Sequence, residues 1–272
     1  MNKITEGVIF GLICSVSLVA QSYNEWIDRS FSYIEAEKLD SAEYALKQAL
    51  RLEPASPGNV LLLSNLGTIQ RRRGERQEAL RSYTNGLMLA PRSVTLLMNR
   101  AALFSEMDST EAALSDYNQV LLLDGQHEDA LYSRGLIRLE KGDTTACRLD
   151  FEQLFRINPS SIPGRIGMGA LLKMRGYYND AVDLYTQVLR MDPANFQAYL
   201  GRSEACYYNK RYKKALEDVD KALEMEKEDP LPYVLRGKIW LAMYEKEQAN
   251  RDFGKAAALG FDPQEIERIL NE

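Results

Sequence analysis

The chain has 272 residues, 45% hydrophobic and 27% charged, with 17 Gly and 9 Pro, which excludes whole-chain disorder, collagen-like repeats and low-complexity structure. A formal net charge of -5 argues against nucleic acid as the main partner, because phosphate binding needs a basic face. Three Cys and one His exclude a disulfide scaffold and leave little for metal or acid–base chemistry.

The first 22 residues stand apart. After Lys3 comes an apolar run from Val8 to Ala20, about 20 Å long as a helix and short of the ~30 Å core of a bilayer. It matches the apolar centre of a secretory signal, with Ala20-Gln21 as the cleavage point. Residues 1–22 are therefore expected to be a signal peptide. The mature chain is then periplasmic in a two-membrane source and secreted otherwise. The alternatives are a membrane anchor through residues 7–20 and a first helix packed on the domain. Lipidation of Cys14 is disfavoured, because Ile13 stands where a small residue is normal.

From Tyr23 onward one unit is written seven times. Tyr117–Gly125 and Tyr185–Pro193 run nearly parallel at 68 residues, twice a period of 34. The copies are 23–56, 60–93, 94–127, 128–161, 162–195, 196–229 and 230–263, with Pro57-Gly58-Asn59 inserted after the first. The eighth position is always small: Ser30, Gly67, Ala101, Gly135, Gly169, Ser203 and Gly237. The twentieth is Ala, or Cys147 in the fourth copy, and the twenty-fourth is large and apolar, as in Tyr83, Tyr117, Phe151, Tyr185 and Phe253. Apolar residues four apart mark two helices per unit. Gly74, Gly142 and Gly176 end first helices in the left-handed conformation, and Pro54, Pro91, Pro159 and Pro193 close second helices. The small positions allow close helix approach, and the large ones fill the seam with the next unit, so neighbours share the core.

This pattern resembles the tetratricopeptide repeat family over residues 23–263. The resemblance implies an all-α fold, a right-handed α-solenoid of seven helix hairpins whose first helices line a concave groove. It also implies binding of a protein or peptide segment rather than catalysis. Copies six and seven depart from the pattern in lacking the terminal Pro, and copy one in lacking the mid-unit Gly. After Asp262-Pro263-Gln264-Glu265, which reads as a capping box, residues 264–272 are expected to form a short capping helix with Ile266, Ile269 and Leu270 as its apolar face.

Four copies carry Arg at the seventh position and Asp sixteen residues later: Arg100 with Asp116, Arg134 with Asp150, Arg202 with Asp218, and Arg236 with Asp252. Copies two and five have neither, showing Leu66 with Ser82 and Met168 with Leu184. Copy one breaks the rule, with Arg29 opposite Ala45. Because each of the other four Arg has its own Asp, structural ion pairs are expected rather than an Arg ladder for an acidic ligand.

No catalytic residue, metal site or cofactor is expected. His127 falls in a turn without a nucleophile nearby, and no phosphate-binding Gly loop is present. Cys147 and Cys206 read as small buried residues two units apart, too far for a disulfide. The remaining candidate is the groove, formed by the second, fifth, sixth, ninth, twelfth and thirteenth places of each first helix. Partner-binding candidates are Asn65, Thr68, Arg71, Arg72, Asn99, Tyr132, Glu204, Tyr207, Tyr208 and Lys238. Asn holds a peptide backbone by two hydrogen bonds, Arg receives a carboxylate, and Tyr gives apolar contact with a polar tip. Some family members grip chaperone C-termini with Lys and Asn on successive turns of the first copy. Ile27 and Phe31 stand there, so that mode is not expected. The function expected is an exported, non-enzymatic scaffold that binds a protein or peptide in its groove. The alternative is a structural scaffold that self-associates through its terminal seams. Neither nucleic acid nor membrane, beyond the N-terminal segment, is expected as a partner.

Overall fold

The structure, a computed structural model, describes residues 22–271. The predicted signal peptide and Cys14 lie outside them, except that residue 22 already belongs to the first helix. All regular structure among the described residues is α-helical. The helices are α1 (22–35), α2 (Leu39–Leu52), α3 (Asn59–Arg72), α4 (Arg76–Leu89), α5 (Val94–Glu106), α6 (Thr110–Leu123), α7 (Glu128–Glu140) and α8 (Thr144–Ile157). They continue with α9 (Ile162–Met174), α10 (Tyr178–Met191), α11 (Phe196–Tyr208), α12 (Tyr212–Met225), α13 (Pro230–Ala242), α14 (Lys246–Ala258) and α15 (Pro263–Asn271). Consecutive helices pack as hairpins, and the chain divides into two compact units, residues 1–130 and 131–272. None of these helices is long and apolar enough to cross a membrane.

Each hairpin turns through one left-handed residue. Gly supplies it at Gly74, Gly142 and Gly176, with φ of 78°, 76° and 82°. In the other four hairpins Glu37, Asp108, Lys210 and Tyr244 take the same conformation, with φ of 54° to 64°. A side chain there crowds the following carbonyl, at a cost of roughly 1–2 kcal/mol. Tyr244 is 91% exposed and has little packing to lose. Tyr244→Gly is therefore expected to stabilise the protein by about 0.5–1 kcal/mol once the greater freedom of unfolded Gly is subtracted. A urea midpoint at or below that of the parent would contradict this.

The recurring aromatic residue sits in a slot made of backbone. A Cβ placed on Gly135 would lie 2.5 Å from Phe151 Cε1, and one on Gly167 would lie 2.3 Å from the same atom. Gly135 belongs to the same hairpin as Phe151 and Gly167 to the next. Tyr185 is held in the same way, by Gly169 of its own hairpin and Gly201 of the next. The small eighth position thus admits the aromatic from within the hairpin. Gly167 and Gly201 are both sixth-place residues, predicted to face the groove, yet here they close the seam between hairpins. The correction has a simple cause: a ring this close to two backbones needs a missing side chain on both.

At the N-terminal end α1 and α2 pack against α3 through Tyr23, Leu46, Leu62 and Leu66, with Trp26 and Ile34 partly buried. The inserted Asn59 is buried. It accepts from the Tyr23 hydroxyl at 2.9 Å and donates to the Glu53 carbonyl at 2.6 Å, so the extra residues join α1, α2 and α3. At the other end Ile266 and Ile269 of α15 pack on Val234, Ala249 and Phe253 of α13 and α14. The Asp262 carboxylate accepts from the Gln264 N–H at 2.9 Å as the helix cap. Glu265 does not complete the expected capping box; it pairs with Arg268. Leu270, predicted on the apolar face, is exposed.

Candidate functional site

The four Arg–Asp pairs are hydrogen-bonded forks. Arg100 donates from Nε and Nη2 to Asp116 at 2.7 and 2.8 Å, and Arg202 does so to Asp218 at 2.7 Å twice. Arg236 reaches Asp252 at 2.8 and 2.7 Å. Arg134 reaches Asp150 at 3.1 and 2.6 Å, and Asp150 also accepts from Arg138. All four carboxylates are buried. In the forks of Arg100, Arg202 and Arg236 the third nitrogen does further work that the pairing alone does not show. Arg100 Nη1 donates to Thr84 Oγ1 at 3.4 Å, Arg202 Nη1 to Thr186 Oγ1 at 3.1 Å, and Arg236 Nη1 to Asp220 Oδ1 at 2.7 Å. Each acceptor lies sixteen residues before its Arg, in the preceding hairpin. Five donors in one plane let Arg join two hairpins at once, which an ammonium on a flexible stem does less well. The signal was present in sequence as a polar residue sixteen places ahead of the Arg.

Where the second hairpin lacks the pair, a different polar bridge stands. Ser82 donates to Gln70 Oε1 at 2.7 Å, Gln70 Nε2 donates to Glu43 Oε1 at 3.1 Å, and Arg73 donates to Glu43 Oε2 at 2.7 Å. Burial opposes the charge on Glu43, but hydrogen bonds from Lys47 and Gln70 and the charges of Lys47 and Arg73 outweigh it, holding the carboxyl below its ordinary value. A depressed carboxyl contributes stability that is complete above its unfolded value, about 4.3, and is lost as pH falls through the folded value. Lowering the pH from 6 to 3 is therefore expected to destabilise the parent more than Glu43→Gln, measured by urea unfolding at each pH. Parallel pH profiles would refute this.

On the first helices of residues 1–130, most candidates are engaged by other residues of the chain. Arg71 donates to Glu106 Oε1 from Nε at 2.9 Å and Nη2 at 2.5 Å, and this hydrogen bond raises its pKa. The carboxylate expected from a partner is thus supplied by the chain itself. Arg72 lies 3.7 Å from Glu37. Thr68 donates to the Ser64 carbonyl at 2.9 Å and lies 3.2 Å from the Tyr83 hydroxyl, while Asn99 donates to Ser64 Oγ at 3.3 Å. Ser64, also read as a groove residue, is buried. Asn65 is half-buried.

In residues 131–272 four candidates converge. Glu204, Tyr207 and Tyr208 of α11 and Lys238 of α13 line one cavity of about 280 Å³. Its remaining walls are Leu200, Leu231, Val234 and Leu235, all at second, fifth or sixth places predicted to line the groove, and Phe261, which was not predicted. Tyr208 stacks on Tyr178 with ring centroids 5.6 Å apart and meets Tyr207 edge-on at 5.2 Å. Glu204 is ion-paired with Lys173 of α9. Tyr132 lies elsewhere, donating to Gln197 Oε1 at 3.4 Å and leaning on Phe151, and burial raises its phenol. Cys147 and Cys206 are free, buried thiols pushed up by that burial. His127 caps α7, its Nδ1 accepting from the Ala130 N–H at 3.3 Å.

Comparison with known proteins follows this geometry. A tetratricopeptide repeat family model matches residues 170–230, and another matches residues 62–95. A tetratricopeptide repeat protein of Parabacteroides merdae, solved by crystallography, is 40% identical, with 92% of this chain and 98% of that one covered and a TM-score of 0.83. This chain belongs to the tetratricopeptide repeat proteins. Its paired hairpins are accordingly a tetratricopeptide-like solenoid, built from a protein-interaction repeat of a generally non-catalytic family. At the level of fold alone, the repeat protein also resembles a thermophilic tetratricopeptide protein of Thermus thermophilus (17% identity, 66% of this chain and 98% of that one, TM-score 0.60). It resembles a chain of the APC/C hetero-tetramer Cut9-Hcn1 as well (13% identity, 89% and 51%, TM-score 0.68). No protein of curated function matches its sequence.

Proposed function

We propose that this tetratricopeptide repeat protein is an exported, non-enzymatic scaffold that binds a protein or peptide segment on its first-helix face. The observation that carries the reading is the cavity on α11 and α13, where Glu204, Tyr207, Tyr208 and Lys238 meet over apolar walls. Concave, mostly apolar surfaces with a few convergent polar groups are where ligands bind. In residues 1–130 the first helices, with Arg71 and Arg72 turned onto Glu106 and Glu37, use these charges to hold one another in place. Export rests on the apolar run from Val8 to Ala20.

Two experiments test this. A photo-crosslinker placed at Tyr208 is expected to capture a discrete partner from the native compartment, and Lys238→Glu with Tyr207→Ala is expected to abolish the capture. Equal capture by the variant, or by a crosslinker at the exposed Leu149 of the second helix α8, would overturn the groove assignment. N-terminal sequencing of the native protein is expected to begin at Gln21, and an intact Met1 start would overturn export.

A further inference from the structure

We infer that the cavity on α11 and α13 receives one large apolar side chain of a peptide, and that Lys238 holds the carboxylate of an adjacent Asp or Glu in that peptide. This rests on the groove reading above and assigns the ligand its chemistry.

Size is the first argument. At about 280 Å³ the cavity falls below the ~300–1,000 Å³ of sites that enclose a whole small molecule. It suits a single bulky side chain entering from a chain that runs across the face. The walls are the second. Leu200, Tyr207, Leu231 and Val234 are apolar where they meet the space, and Phe261 adds a ring. Phe261 stands at the turn position where earlier copies have Pro, Gly or Lys227. A departure from the repeat therefore builds a wall that no earlier copy has.

Charge is the third argument and decides the neighbour. Glu204 and Lys238 occupy equivalent places on successive first helices, yet they do not pair. Glu204 is engaged by Lys173 behind it. Lys238 has no hydrogen-bond or ion-pair partner among the described residues. The carboxylate that lines the cavity is thus taken by a cation from outside it, which leaves Lys238, a half-buried residue, as a positive charge beside an apolar pocket. A carboxylate from the ligand completes the set, and a ligand Lys or Arg at that point is repelled.

Selection from a phage-displayed library of random dodecapeptides tests this with the mature chain and its variants. The parent is expected to enrich a large apolar residue flanked by Asp or Glu, and Lys238→Glu is expected to switch the flanking residue to Lys or Arg. In fluorescence polarisation with the enriched peptide, Lys238→Gln is expected to weaken binding about tenfold. Changing the peptide carboxylate to its amide should weaken the parent equally and add nothing to Lys238→Gln. Phe261→Ala is expected to relax the apolar preference and leave the acidic one. Circular dichroism confirms folding, and should Lys238→Glu not fold, loss of the acidic preference in Lys238→Gln carries the same decision. Enriched peptides without the acidic flank, or with a flank indifferent to residue 238, would overturn this inference and leave the groove reading standing. No enrichment by the parent would overturn both.

Discussion

Asp218→Ala is expected to destabilise the protein by about 3 kcal/mol, at the lower end of the roughly 3–5 kcal/mol seen when one member of a buried pair is removed. The Asp218 side chain is 1% exposed and that of Arg202 12%. Loss of the carboxylate leaves a guanidinium with almost no water, a Thr186 hydroxyl at 3.1 Å, and Lys214, which otherwise pairs with Asp218, as a like charge nearby. The chain carries its own control. In the fifth hairpin the corresponding residues are Met168 and Leu184, so the site accepts an apolar pair. Arg202→Met with Asp218→Leu is accordingly expected to change stability by less than about 1 kcal/mol, because it removes both charges and their desolvation together. Urea unfolding of the parent, the single and the double variant reads the difference. A single variant losing under 1 kcal/mol, or a double variant losing as much as the single, would show that the pair does not hold the hairpins as described.

The second large effect is expected from a methyl group. Gly167→Ala improves helix propensity by about 1 kcal/mol, yet the protein is expected to lose about 1–2 kcal/mol. The new Cβ would meet the buried Phe151 ring at 2.3 Å. Gly135 lies against the same ring, its Cβ position 2.5 Å from the same Cε1, so two backbones limit its retreat, and overpacking of this kind costs roughly 1–3 kcal/mol, which propensity offsets only in part. Gly254→Ala provides the contrast. It lies within α14, has nothing within 4 Å of its Cβ position, and is expected to stabilise by about 1 kcal/mol. Opposite signs for one substitution in two helices, measured as urea midpoints, are the expected result. Stabilisation by both would mean that the aromatic slot is loose.

How much of this was legible beforehand follows from what repetition records. A feature present in most copies is a pattern. The small eighth residue, the aromatic four places after the recurring Ala, and the Arg that has its Asp in four copies were all visible because seven copies could be laid side by side. Their physical reasons are local to one hairpin, where sequence distance stands in for spatial distance. The left-handed turn shows where this ends. Gly marked it in three hairpins, but Glu37, Asp108, Lys210 and Tyr244 take the same conformation with side chains that do not announce it.

The candidate site was only half legible, because its decisive features are those in which copies differ. Arg71 was read as a groove residue open to a partner's carboxylate, but that Glu106 of the next first helix would occupy it depends on a contact across thirty-five residues. Phe261 looked like decay of the turn motif, and only its position beside Leu200 and Val234 makes it a wall. The sequence alone determined the unit, its period, the two helices in each copy and the pairing of charges, since each is set by residues within one period. Tertiary structure decided which polar groups remain available to a partner. Availability is a property of neighbours: Glu204 is engaged by Lys173, and Lys238, at the equivalent place one hairpin on, is left to face the cavity.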